Sequence, residues 1–223
     1  MERSSGILLP ISSLPSPYGI GTLGKEARAF VDFLAAAKQR WWQILPVGPT
    51  SYGDSPYQSF SAYAGNPYFV DLEQLIDLGL LEKEEVESCD WGTDPTAVDY
   101  GKIYESRFTL LEKASEKGWV RYGWEIEAFV NQNKSWLPDY ALFMALKRAN
   151  GMKAWTQWPE AVRMREAAAL EAAREQYAGD IRLFTFIQFV FFQQWRSLKS
   201  YAHEKGVGGL SSRIAVLMSP FAS

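Results

Sequence analysis

Apolar positions along the chain fall first into short blocks and then into helical stripes. Ile7-Leu8-Leu9-Pro10-Ile11 is a continuous apolar run closed by Ser12-Ser13-Leu14-Pro15-Ser16-Pro17, which predicts a buried strand followed by an irregular loop. Over 26–38, Ala27, Phe30, Val31, Leu34 and Ala37 recur at three- and four-residue spacing, while Lys25, Arg28, Asp32 and Lys38 face outward, the pattern of a one-sided helix. Trp41-Trp42-Gln43-Ile44-Leu45-Pro46-Val47-Gly48 then reads as a second strand ended by Pro and Gly. Strand, loop, helix and strand in that order form a βαβ unit, which favours parallel strands joined by a right-handed crossover. A barrel or a doubly wound sheet is the expected setting.

After Gly48 the pattern changes. Residues 49–66 form a long loop rich in Gly, Ser, Pro and Tyr, and the chain beyond it is mostly helical, with helices expected over 100–117, 124–133, 138–150, 160–176 and 180–205. The last of these has the clearest stripe. Phe184, Ile187, Phe191, Trp195 and Leu198 share one face, thickened by Val190 and Phe192, and Arg196, Lys199 and Lys205 sit in the C-terminal half, where the helix dipole favours cations. The alanine-rich run 167–173 is good helix former, and no internal repeat is present.

With 223 residues, 47% apolar and 22% charged, the chain suits one large domain or two small ones. A formal charge of -3 supplies no broad positive field for phosphates, which argues against nucleic acid and for neutral ligands. The single cysteine, Cys89, forms no internal disulfide, and Met1-Glu2-Arg3-Ser4-Ser5 leads straight into a strand-like run rather than a signal peptide, so the cytoplasm is the expected compartment. The most apolar stretch, 181–195, is too short for a bilayer and is interrupted by Arg182, Thr185, Gln188, Gln193 and Gln194, so no membrane association is expected. Aromatic residues are 15% of the chain, with nine Trp and eleven Tyr, many beside Gly, Pro, Asn, Gln or Asp. Core packing accounts for most of them. The rest suit sugar rings, whose axial C–H faces stack on flat aromatics while Asn, Gln and Asp take the hydroxyls.

Two patterns are set aside. Gly19-Ile20-Gly21-Thr22-Leu23-Gly24 matches the dinucleotide glycine fingerprint, but a loop containing Pro15 and Pro17 separates it from the first strand, and the second strand ends in Pro46-Val47-Gly48-Pro49 without an acidic residue for a ribose. His203 is the only histidine, so neither a histidine metal cluster nor a Ser-His-Asp triad is expected, and Cys89 has no sequence-adjacent base.

The densest polar and aromatic cluster, 52–68, directly succeeds the second strand, where parallel-strand enzymes bind ligands. Within it Tyr57 offers a stacking face, Asp54, Ser55 and Gln58 offer hydroxyl partners, and Gly and Pro fix turns. A rigid surface loop is the competing reading. Here a resemblance becomes specific. Ser12-Ser13-Leu14-Pro15, Pro17-Tyr18-Gly19-Ile20-Gly21, Trp42-Gln43-Ile44-Leu45-Pro46-Val47-Gly48-Pro49-Thr50, and Gly53-Asp54-Ser55-Pro56-Tyr57-Gln58-Ser59-Phe60-Ser61-Ala62 through Gly65-Asn66-Pro67-Tyr68 resemble, in order and spacing, the opening of the amylomaltases, the 4-α-glucanotransferase family. Trp155-Thr156-Gln157-Trp158-Pro159 and Phe189-Val190-Phe191-Phe192-Gln193-Gln194-Trp195 are similar to later landmarks of the family, so the resemblance runs from residue 4 to about 207.

The resemblance implies an α/β fold, an incomplete (β/α)8 barrel contributing its first two strands, with a largely helical insertion after strand 2. It divides the chain into 1–65, the barrel's start with its substrate loop; 66–177, the insertion; 178–207, a barrel helix; and 208–223, an aberrant tail. It implies breakage of an α-1,4 bond in a donor glucan and transfer of the glycosyl unit to another sugar's 4-hydroxyl, on maltooligosaccharides or α-glucans, with no metal or organic cofactor. It places Asp54, Ser55, Tyr57 and Gln58 along the donor groove, and Tyr52 and Tyr104 match tyrosines of a secondary glucan site in some members. A packing role for Tyr104, within a helix, is the alternative.

Retaining transfer needs a carboxylate nucleophile and a second carboxyl group about 5 to 5.5 Å apart. No such pair is legible here. Asp54, Asp71 and Asp99 each have a plain structural reading, and the resemblance puts the catalytic carboxylates on later barrel strands. Where the family would continue into an Ile-Gly-Asp-like third strand, the chain reads Gly208-Gly209-Leu210-Ser211-Ser212-Arg213, so a truncated gene or a reading-frame change is expected, along with poor solubility or loose packing. A non-catalytic glucan-binding module is the alternative function.

Overall fold

The computed structural model describes residues 3–50, 53–94 and 96–208. Contacts divide these into two compact units, one built from the described residues of 3–114 with 190–208 and one from 115–189. Two long helices contribute to both.

In the first unit, β1 (Gly6–Leu8), α1 (Lys25–Ala36) and β2 (Trp41–Gln43) realise the expected βαβ order, and the strands pair in parallel with Ile7 opposite Trp42. Both strands are shorter than the apolar runs suggest, because Pro10 and Pro46 cannot donate to a ladder. Alternation gives the pair two unlike faces. Trp42 is fully buried, its ring meeting Phe30 of α1 edge-on at 4.9 Å and its indole N–H donating to Leu9 O at 2.8 Å. On the other face Leu8 and Trp41 are each about half exposed. Beyond β2, Gly208 forms a parallel bridge with Trp41, donating to Arg40 O at 2.7 Å and accepting from Trp42 N at 3.0 Å. A third segment therefore enters alongside β2 on the side opposite β1. Residues 209–223, which hold most of the tail expected to be aberrant, lie outside the described residues.

Two short helices escape the periodicity. α2 (Leu72–Asp77) starts where the Asp71 carboxylate accepts Gln74 N–H at 3.0 Å, and α3 (Lys83–Glu87) is opened by a reciprocal capping box between Glu82 and Glu85. α4 (Tyr100–Gln132) begins at Asp99, whose carboxylate accepts Lys102 N–H at 3.1 Å. The sequence pattern predicts two helices over this span. The break between them survives only as non-helical backbone at Tyr122, φ -122° and ψ 23°.

The second unit holds the rest of α4, α5 (Leu137–Ala149), α6 (Glu160–Arg163), α7 (Ala167–Gln176) and the start of α8 (Ala178–Glu204). The helix expected over 160–176 is interrupted because Arg165 takes a left-handed φ of 58°. Its core gathers Leu142, Leu146, Trp158, Leu170 and Ala173, with Phe143 and Ile181 packed against them. No helix among the described residues is long and apolar enough to cross a membrane.

Candidate functional site

The loop after β2 is closed on itself by short-range bonds. Thr50 pairs with Ser59 in an antiparallel bridge, and Thr50 Oγ1 donates to Asp54 Oδ1 at 3.0 Å. Gly53 and Asp54 both carry positive φ, 83° and 52°, a reversal glycine adopts freely and aspartate tolerates better than most residues. In the next turn Ser55 O accepts Gln58 N–H at 3.1 Å and Ser55 Oγ accepts Tyr57 N–H at 3.4 Å. The returning segment is pinned by Ser61 Oγ, which accepts Ala64 N–H at 3.1 Å, and by Asn66 N–H donating to Val47 O at 2.8 Å. At its base, Gly65 lies so close to the Phe191 ring that a Cβ would overlap it.

These bonds set the outer turn apart from the inner wall. Tyr57 and Gln58 are exposed, Tyr57 by 66%. Asp54 is half-buried and faces an aromatic group on the neighbouring elements: Tyr68 and Tyr100 stand 5.8 Å apart, and Tyr104, one turn along α4, packs at 4.8 Å on Phe108. Burial, and after it the Asp54 carboxylate, raises the Tyr68 and Tyr100 phenols above their ordinary range, so both remain neutral donors. Behind them Arg107 is completely buried. It donates to Val70 O at 2.6 Å and lies 5.7 Å from the Trp91 ring, while its Nε and second terminal nitrogen have no hydrogen-bond partner among the described residues.

A cavity of about 30 Å³ opens where the two strands end, bounded by Pro10 and Ser12 after β1, Pro46 after β2, and Thr50, Asp54 and Tyr100. It holds roughly one water and no sugar ring. A saccharide held by this loop would lie across its outer surface rather than in that cavity.

Of the residues expected along a donor groove, Asp54, Ser55, Tyr57 and Gln58 all fall in this one turn. Tyr104 joins the Tyr68 and Tyr100 group, while Tyr52, expected beside it, lies outside the described residues. Sequence reasoning gives no role to Tyr68, Tyr100 or Arg107. Tyr68 stands in the Asn66-Pro67-Tyr68 run, and Tyr100 lies one helical turn before Tyr104, a spacing that signals a shared face. Asp71 and Asp99 serve as helix caps, and Cys89 donates to Glu85 O at 3.4 Å with its thiol pushed up by burial, the reverse of nucleophile activation.

Residues 9–220 match the family model described as 4-alpha-glucanotransferase (glycoside hydrolase 77). The chain belongs to this family. It is 51% identical over 211 residues to the 4-alpha-glucanotransferase of Streptococcus pneumoniae, an alignment covering 92% of this chain and 41% of that protein. The Thermus thermophilus 4-alpha-glucanotransferase is 45% identical over 211 residues, with 93% and 41% covered. Among solved structures, the amylomaltase from Streptococcus agalactiae in complex with acarbose superposes with a TM-score of 0.90 at 42% identity, covering 92% of this chain and 42% of that one. The chain thus spans about two fifths of the length of these relatives. The segment 53–62, within the matched residues, forms part of the loop after β2.

Proposed function

We propose that the protein is a 4-alpha-glucanotransferase acting on α-glucans, in which these residues supply a glucan-binding loop at the mouth of a (β/α)8 barrel. The observation that carries this reading is the loop itself in a member of the family: an exposed Tyr57 on a hydrogen-bonded turn, beyond the C-terminal ends of two parallel strands. The Tyr57 ring offers a stacking face to a pyranose, and Ser55, Gln58 and Asp54 stand within the same turn for its hydroxyls. The barrel reading is supported by the parallel bridge at Gly208, placed where a third strand would start, and by the half-exposed face of Leu8 and Trp41, which a closed barrel would turn inward. A related amylomaltase takes acarbose, which supports a saccharide ligand here. The cytoplasm remains the compartment that fits the single cysteine.

The reaction expected of the whole protein passes through a carboxylate nucleophile and an acid/base carboxyl group. We assign neither within these residues. Asp71 and Asp99 are committed to helix caps. Asp32, Asp90 and Asp94 are held below the usual carboxylate range, chiefly by hydrogen bonds from Tyr201, Lys102 and Thr96, which argues against any of them as the general acid that a nucleophile would need beside it. The test is glucose release from maltotriose by the 223-residue chain. Binding without release is expected; release that Tyr57→Ala abolishes would put the catalytic pair inside this chain and overturn the assignment.

A further inference from the structure

The Trp155-Thr156-Gln157-Trp158 segment has no part in the loop chemistry, yet it borders a cleft of about 410 Å³ lying wholly within the helical unit. That volume falls in the range of small-ligand sites, roughly 300–1,000 Å³. Leu142, Leu146 and Leu170 line its interior, and Trp158 is fixed there, its ring 5.3 Å from Phe143 and its indole N–H bound to Lys153 O at 3.2 Å. Trp155 differs from its neighbour. It is 52% exposed, and no described residue accepts a hydrogen bond from its indole nitrogen.

The rim is polar. Arg165 reaches both carboxylate oxygens of Asp139 at 3.2 and 3.3 Å, and Arg163 lies 3.9 Å from Glu160. Each of these ion pairs is largely exposed and contributes little to stability. The interruption of the helix at Arg165, with its left-handed backbone, is what presents that side chain at the cleft. Because each cation has an acid beside it, the rim carries no excess charge to select an anion. A hydrocarbon would waste the polar rim. A pyranose uses both parts, its C–H face on the Trp155 ring and its hydroxyls on Asp139, Arg165 and the indole N–H.

We propose that this cleft is a second saccharide site, taking a short α-1,4-glucan segment independently of the loop after β2. The choice of an α-glucan rests on the proposed function, whereas the choice of a neutral saccharide rests on the cleft.

The experiment is fluorine NMR of the 223-residue chain labelled with 5-fluorotryptophan, the Trp155 signal being identified by its loss in Trp155→Phe. Maltoheptaose is expected to shift that signal saturably, in the wild-type chain and equally in Tyr57→Ala, while cellohexaose leaves it in place. Trp155→Ala and Asp139→Asn are each expected to weaken cleft binding roughly tenfold, measured by calorimetry in the Tyr57→Ala background. A Trp155 signal that stays fixed while Tyr57-dependent binding saturates would overturn the cleft and leave the loop reading standing. A shifting signal with no effect of Tyr57→Ala on the remaining binding would do the opposite. An equal response to cellohexaose would overturn the α-glucan class, and no response at either place would overturn both sites.

Discussion

Gln194 grips the backbone of Asp71 with both ends of its carboxamide, accepting the Asp71 N–H at 2.7 Å and donating to the Asp71 carbonyl at 3.1 Å. Both residues are buried, and the Asp71 side chain meanwhile accepts from Thr22 Oγ1 at 2.6 Å and caps α2. One residue of α8 thus fixes the start of α2. Gln194→Leu would leave two buried backbone groups unpaired, at about 1–3 kcal/mol each. A loss of about 2–6 kcal/mol is predicted, read as a lower urea midpoint. An unchanged midpoint would mean that water replaces the carboxamide.

Two glycines of α4 separate packing from helix propensity. Replacing a mid-helix glycine by alanine favours the helix by up to about 1 kcal/mol. At Gly118 a Cβ would run into the ring of the fully buried Phe186, and overpacking costs about 1–3 kcal/mol. The clash wins, so Gly118→Ala is predicted to destabilise the helical unit. Gly123 has nothing within 4 Å of the same position, so Gly123→Ala is predicted to be neutral or stabilising. Thermal melts of the two variants should move in opposite directions.

The latch between α1 and the end of α8 predicts a pH dependence. Tyr201 Oη donates to Asp32 at 2.7 Å and Lys205 lies 3.2 Å from the same carboxylate, which together hold Asp32 below its usual range. A depressed carboxylate contributes stability that is present above its unfolded pKa of about 3.9 and is lost as pH falls through the lower folded value. Asp32→Asn should therefore lower stability most at neutral pH, by an amount that fades as pH falls below about 4, so that the acid limb of the stability curve is flattened. An unaltered acid limb would show that solvent screens the latch completely.

The legible parts of the fold are those held by local interactions. β1, α1 and β2 are readable because apolar runs bounded by Gly and Pro report their own burial, and α8 because Phe184, Ile187, Phe191, Trp195 and Leu198 repeat at helical spacing. α2 and α3, six and five residues long, are too short for a period to emerge and are written instead in their caps, Asp71 and the Glu82–Glu85 box. The turn carrying Asp54, Ser55, Tyr57 and Gln58 is visible as a motif, because its bonds span only a few residues. Its inner wall is not. Tyr68 and Tyr100 meet Asp54, and Arg107 meets Tyr68, only through the fold, and residue spacing along the chain carries no trace of those meetings.

The loop's grip on an α-glucan is the central claim, and isothermal titration of maltoheptaose into the 223-residue chain and its Tyr57→Ala variant tests it most directly. Tyr57 is 66% exposed, so the variant should keep its fold, checked by an unchanged melting temperature. Saturable heat is expected for the wild-type chain, with one component lost or weakened roughly tenfold in the variant. Identical isotherms from two equally folded proteins would contradict it.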